Sequence, residues 1–267
     1  MERMKAVVYQ QYGPPNVLRL TEVEKPIPAD NEVLIRIATT TVTAGDWHLR
    51  KADPFIVRFF SGLTKPKAPI LGHELAGVVE SVGKAVKRFK AGDPIFGSTG
   101  LKSGTYAEYI SLPENGFLAP KPSNITFEEA AVMPVGASTA LYFLRKANVQ
   151  QGQKVLINGA SGSVGTFSVQ LAKHLGAEVT GVCSTANVEM VKSLGADTVI
   201  DYRTTDFTQS QQQWDVIFDT VGKASFPKSK KVLAPKGVFV STAIAPSLLV
   251  QALTSSLFGN KKLIIGV

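Results

Sequence analysis

Residues Val155 to Gly165 read Val-Leu-Ile-Asn-Gly-Ala-Ser-Gly-Ser-Val-Gly. A short apolar run leads into a turn of glycine and serine. Phe167, Leu171 and Leu175 then recur at the spacing of one helix face. Set against the G-x-G-x-x-G pattern of a dinucleotide phosphate turn, the chain offers Ala160, Gly162 and Gly165. Ala160 replaces the first glycine, and Gly159 just before it supplies the turn's freedom. Gly162 lets backbone approach a pyrophosphate, and Gly165 lets the helix pack close to the strand. The phosphates would sit on the helix N-terminus, where free N–H groups and the helix dipole favour an anion. The glycine pattern is weak by itself. The strand before it, the helix after it and a second strand at the right distance give it force.

That second strand is Val179–Cys183, followed by Ser184, Thr185, Ala186 and Asn187. Domains that prefer NAD place an Asp or Glu there to bind the ribose 2′-hydroxyl. Here no acid occurs before Glu189, which favours NADP(H). Small hydroxyls and Asn187 can accommodate a 2′-phosphate, with Lys192, Tyr202 and Arg203 able to join them. Ser184 and Asn187 also suit the cap of the next helix, Asn187–Leu194. Outward from the turn, Lys154–Asn158 is a strand and Gly165–Leu175 a helix. Further strands are predicted at Thr198–Asp201, Trp214–Asp219, Gly237–Ser241 and Lys262–Val267. Such alternation implies an α/β fold, a doubly wound parallel sheet with helices on both faces.

The preceding residues have another texture. Up to about residue 120, short strand-like runs such as Val33–Ile37 and Gly77–Val82 alternate with Gly and Pro, the pattern of a compact barrel or sandwich. The texture changes near Pro120-Lys121-Pro122. Thr126-Phe-Glu-Glu129 is a capping box, and a helical stretch runs from it to Ala147, interrupted near Pro134 and Gly136. Two domains follow, 1–122 and 123–267.

The chain has 267 residues, 44% of them hydrophobic, within the range of soluble globular proteins. No apolar stretch approaches the ~20 residues of a membrane span, and the N-terminal residues show no secretory h-region. A single cysteine, Cys183, excludes an internal disulfide and a Cys-rich zinc lobe. A cytoplasmic protein is the expectation. The net charge of +8 is scattered rather than clustered with aromatic residues, which argues against nucleic acid.

Gly72-His-Glu-Leu-Ala-Gly-Val-Val-Glu-Ser-Val-Gly83, Phe89-Lys-Ala-Gly-Asp93, Gly97, Gly104-Thr-Tyr-Ala-Glu108 and Pro134-Val-Gly-Ala-Ser-Thr139, with the phosphate turn, extend over essentially the whole chain. In these motifs the sequence resembles the medium-chain dehydrogenase/reductase superfamily, its zinc-free quinone oxidoreductase branch best. The resemblance implies a GroES-like β-barrel followed by a Rossmann domain, with the active site in the cleft between them. Zinc-dependent members use three ligands at positions that here look like Thr43, His73 and Val135. One ligand type of three remains, so no catalytic zinc is expected, and His73 is read as a hydrogen-bonded structural residue.

The resemblance further implies an NADPH-dependent reductase of a small quinone or α,β-unsaturated carbonyl. The acceptor oxygen gains negative charge, which donors must stabilise in place of a metal. Thr43 and His48 are the catalytic candidates, histidine being a fitting proton donor because its unperturbed pKa lies near neutrality. Cofactor contacts carried over are Thr139 near the nicotinamide and Ser161, Gly162, Ser163, Val164 and Gly165 on the pyrophosphate. Ser184 and Asn187 lie near the 2′-phosphate, Tyr202 near the adenosine, and Val221 and Thr242 at strand ends. Relatives continue past the position of Val267, so a C-terminal completion of the first domain is expected to be missing here. The last strand could pair with its copy in a homodimer. Two other readings stay open: a zinc-type alcohol dehydrogenase relative, and a truncated non-catalytic NADPH-binding protein, for which RNA binding would suit the positive charge.

Overall fold

The structure, a computed structural model, describes residues 2–243, 251 and 260–266. The chain forms two compact units, one reaching to Val135 and one starting at Gly136.

The first unit carries a hairpin, β1 (Arg3–Val8) with β2 (Arg19–Glu24), and a five-stranded antiparallel sheet. That sheet joins β3 (Glu32–Thr40), β4 (Glu74–Val82), β5 (Pro94–Ser98), β6 (Tyr109–Pro113) and β7 (Phe117–Pro120) in the order β6-β3-β4-β5-β7. Register shifts at Leu34/Ile35 and Ile37/Thr39 bend the central β3–β4 pair, as bulges do. Val33, Ile35, Leu75, Val79 and Ile95 alternate onto the buried side and form its core. Two helices, α1 (Ala44–Lys51) and α2 (Val57–Ser61), interrupt a stretch that reads as β-rich in sequence.

The Thr126 capping box forms in full and starts α3 (Phe127–Ala131). The following helix, α4 (Met133–Lys146), begins after Val132. The interruption thus falls ahead of Pro134, because proline is tolerated in the first turn, where its missing N–H costs nothing.

The second unit is the expected α/β fold. It contains β8 (Lys154–Asn158), α5 (Ser163–His174), β9 (Glu178–Cys183), α6 (Val188–Ser193), β10 (Thr198–Asp201), β11 (Trp214–Asp219), α7 (Phe226–Ser229), β12 (Leu233–Ser241) and β13 (Lys262–Ile265). All its strand pairs are parallel, in the order β10-β9-β8-β11-β12-β13. Successive strand residues serve opposite faces. Val155, Ile157, Val216 and Phe218 pack with Phe143, Val169 and Val191 on one side. Leu156, Ile217 and Phe239 pack with Trp214 and Phe226 on the other. Burial on both faces explains the near-continuous apolar runs of these strands. Val267, assigned to the last strand from sequence, lies outside the described residues.

The strand order reverses between β8 and β11, and in open α/β sheets ligands bind outside the strand carboxyl ends at that reversal. The turn leaving β8 depends on two glycines. Gly159 has φ +83°, a left-handed conformation that L side chains rarely adopt. A Cβ on Gly165 would stand 2.1 Å from the Gly159 carbonyl oxygen and 2.8 Å from Ala160 Cα. Gly165→Ala should therefore lower the unfolding free energy by about 2–3 kcal/mol, seen as an earlier midpoint in urea denaturation.

Candidate cofactor site

The turn between β8 and α5 is held by its own backbone. Gly159 N–H and Ala160 N–H both donate to Val182 O at 3.0 Å, and Gly162 N–H donates to Gly159 O at 3.0 Å. Ala160 is fully buried, so the residue that replaces the first glycine packs into the core. The first hydrogen bond of α5 runs from Thr166 N–H to Gly162 O at 2.8 Å. The N–H groups of Ser163, Val164 and Gly165 precede it and have no partner within the helix. Val164's side chain is partly buried and packs against the core. Gly162 differs from Gly165. A Cβ there would meet only Gly159 O at 3.4 Å, an ordinary contact. The protein itself does not need a glycine at 162. A ligand that approaches the backbone does.

A crevice of about 850 Å³ opens beside this turn, at the carboxyl ends of the strands. Ser161, Gly162, Ser184, Asn187, Tyr202 and Val221 all line it, brought together from four separate segments of the chain. Thr139, half-buried on α4, Thr242, which follows β12, and Ser163, Val164 and Gly165 of α5 do not line it. Neither Ser184 nor Asn187 caps a helix with its side chain. Asn187 Nδ2 instead donates to Ser184 Oγ at 3.2 Å. Tyr202 is mostly exposed and is fixed by its backbone N–H, which donates to Cys183 O at 3.1 Å.

Sequence reading missed two features of this region. Lys223 lines the crevice, reaching it through the bend after β11 rather than through any motif. Asp201 is paired in register with Cys183 across β10 and β9. Its carboxylate accepts the Thr185 hydroxyl and the Arg203 backbone N–H. Those hydrogen bonds, the Thr185 one first, hold it below the usual carboxylate range. An acid therefore does stand near the end of β9, supplied by the neighbouring strand.

In the first unit, Thr43 is the N-cap of α1, in a capping box with Asp46. Asp46 is buried, and its Oδ2 accepts Thr43 N–H at 2.7 Å and Thr43 Oγ1 at 2.8 Å. Its Oδ1 accepts Gly72 N–H at 3.0 Å and His73 Nδ1 at 2.9 Å. His73 is thus hydrogen-bonded through one ring nitrogen, as its sequence reading expects. Glu74, also buried, accepts Thr41 Oγ1 at 2.6 Å and the backbone N–H of Val135 at 2.8 Å. His48 directs Nδ1 to the Asp53 carbonyl and stacks on Trp47, ring centroids 3.8 Å apart. Among the described residues no three His, Cys, Asp or Glu gather as a metal site, and no helix is long and apolar enough to cross a membrane.

In chain order, an antiparallel unit is followed by a doubly wound parallel sheet with a glycine turn and a crevice at its switch point. Residues 163–267 match the zinc-binding dehydrogenase family, and residues 29–123 match the alcohol dehydrogenase GroES-like domain. The chain is 33% identical over 257 residues to an NADPH-dependent alkenal/one oxidoreductase of Arabidopsis thaliana, covering 92% of this chain. It spans 64% of that relative's length, under two thirds. It is 31% identical to the chloroplast envelope quinone oxidoreductase homolog of the same plant, covering 98% of this chain and 82% of that protein. The quinone oxidoreductase of Coxiella burnetii superposes with a TM-score of 0.89 at 28% identity, covering all of this chain and 83% of that one. The chain belongs to the medium-chain dehydrogenase/reductase superfamily.

Two outcomes follow from the site geometry. Gly162→Ala should leave the thermal unfolding midpoint within about 2 °C of the parent, while weakening NADPH binding at least about tenfold. Calorimetric titration and a melting curve on the same sample separate the two effects. For Asp46, burial pushes the carboxyl up, but hydrogen bonds from His73 and Thr43 outweigh it and leave it lowered. The unfolded chain then binds the proton more readily, so Asp46 adds stability above the ordinary carboxylate pKa of about 4, lost as pH falls through the folded value. Asp46→Asn should cost about 2 kcal/mol at neutral pH. That difference from the parent should shrink as urea unfolding is repeated at lower pH.

Proposed function

We propose that this chain is a zinc-independent oxidoreductase that binds NADP(H) and reduces a quinone or an α,β-unsaturated carbonyl. The observation that carries the reading is the open backbone at Gly162, beside a free helix N-terminus and facing a crevice of about 850 Å³. Both the donor set and the space suit a dinucleotide's phosphates. When bound, the dihydronicotinamide supplies a hydride.

The chain's own residues do the rest. Ser161 and the N–H groups at 163–165 hold the pyrophosphate, and Ser184, Asn187 and Tyr202 take the adenosine end with its 2′-phosphate. Thr139, Val221 and Thr242 complete the cofactor contacts. No acid lies between Cys183 and Glu189, which supports the phosphorylated cofactor. Asp201 is the feature that favours NADH instead, and the experiment below separates the two.

The residues at the family's zinc positions do not fit a catalytic zinc. Thr43 caps a helix and Val135 has no donor side chain, which leaves His73 alone of the three. Three protein ligands are needed and one is present. Charge on the acceptor oxygen is then met by hydrogen-bond donors, for which Thr43 and His48 are the candidates. The names of the relatives, an alkenal/one oxidoreductase and quinone oxidoreductases, support the substrate class. A cytoplasmic location belongs to the same reading, supported by one free, buried cysteine. So does a homodimer through β13, the edge strand of its sheet among the described residues.

The test mixes the protein with NADPH and a simple quinone and follows loss of dihydronicotinamide absorbance. Turnover is expected, with NADPH quenching tryptophan emission at lower concentration than NADH. Tighter NADH binding contradicts the cofactor choice. NADPH binding without turnover of any quinone or enone leaves the non-catalytic reading in its place.

A further inference from the structure

Asp219 ends β11 at the strand-order reversal, in register with Asn158 at the end of β8. It has no exposed surface. Its oxygens accept three N–H groups: Oδ1 from Asn158 Nδ2 at 3.0 Å and Val221 N at 3.3 Å, Oδ2 from Ala224 N at 2.9 Å. No lysine, arginine or histidine is ion-paired to it among the described residues. A buried carboxylate without a counter-ion is costly unless fixed donors satisfy it, and hydrogen bonds to a charged acceptor are the strong ones.

Two of the three donors come from the bend at 221–224, which is thereby tied back to the end of its own strand. Thr220 ties it to the neighbouring strand, donating from N and Oγ1 to Asn158 O at 3.0 and 2.9 Å. Gly222 makes the reversal at φ +68°. The bend lies against the phosphate turn, since a Cβ on Gly159 would stand 2.6 Å from Val221 Cγ1. Val221 and Lys223 consequently face the crevice. Lys223 is the one cation among the residues that line it, and its ammonium makes no hydrogen bond or ion pair among the described residues.

We propose that Asp219 is a positioning residue for the dinucleotide. Without touching the ligand, its carboxylate holds 221–224 as a wall of the crevice and presents Lys223 to the ligand's phosphates. The inference rests on the dinucleotide reading above and adds to it a specificity element that lies outside the glycine turn. All three partners of Asp219 are donors, so a neutral amide at 219 would set its NH2 group against one of them. Either way the amide is turned, the Val221 or the Ala224 N–H loses its acceptor.

The experiment measures NADPH affinity by calorimetry on the full chain, with unfolding curves taken without ligand. Asp219→Asn should weaken NADPH at least about tenfold and flatten the dependence of its affinity on salt, because Lys223 is no longer held at the crevice. Lys223→Ala should weaken NADPH and flatten the dependence of its affinity on salt, because a screened charge is lost. A folded Asp219→Asn that binds like the parent overturns the proposal. So does a Lys223→Ala variant with the parent's affinity and salt dependence. Should Asp219→Asn not fold, amide exchange in the parent decides: protected Val221 and Ala224 N–H groups support the tether, and unprotected ones overturn it. A parent that binds neither NADPH nor NADH overturns the dinucleotide reading itself, a different failure from any of these.

Discussion

The second unit is organised by a contact that no side chain could occupy. At Gly165 the backbone of α5 approaches the turn after β8 so closely that a single added carbon would lie 2.1 Å from a carbonyl oxygen. That approach draws the helix onto the sheet and lets Val169 and Ala172 seal one face against Val155 and Ile157. It also fixes the first N–H groups of α5, which have no partner within the helix, next to Gly162 at the crevice. Gly159 makes the approach attainable, because its left-handed φ turns the chain within one residue of the strand end. Packing and the placement of the unpaired N–H groups therefore share one cause. Gly162, between them, is free of the packing constraint.

The parts of this fold that were legible in sequence are those written in local pattern. Trp214–Asp219 and Thr198–Asp201 appear with the boundaries read from their apolar runs, because a strand buried on both faces has no reason to admit polar residues. The capping box at Thr126 was legible for the same kind of reason, its two partners lying three residues apart. Helix α1 was not. Its capping box uses Asp46 in place of the usual Glu or Gln, and the segment's Gly and Asp content resembles a loop. Contacts between distant segments were also hidden. Asp201 reaches the end of β9 only through strand pairing, and Lys223 lines the crevice from a bend whose Val221 and Ala224 N–H groups bond Asp219. A reading confined to the second strand's own residues could not include either.

Asp46 plays in the first unit a part comparable to that of Asp219 in the second. Each is a buried carboxylate whose oxygens are filled by donors from segments that are otherwise far apart in sequence. Asp46 joins the start of α1 to Gly72 and His73, so the sequence motif around His73 is fixed from below by a residue outside it. The motif alone suggests a ligand. In this structure one ring nitrogen of His73 is held by Asp46.

The central claim is that the crevice at the switch point of the parallel sheet holds a dinucleotide. Amide hydrogen exchange with and without NADPH tests it most directly, because it reports the location of binding as well as its occurrence. The account predicts slowed exchange at residues 159–165, 184–187 and 220–224. Unchanged exchange in all three segments at saturating NADPH, or protection confined to residues 2–135, would contradict it.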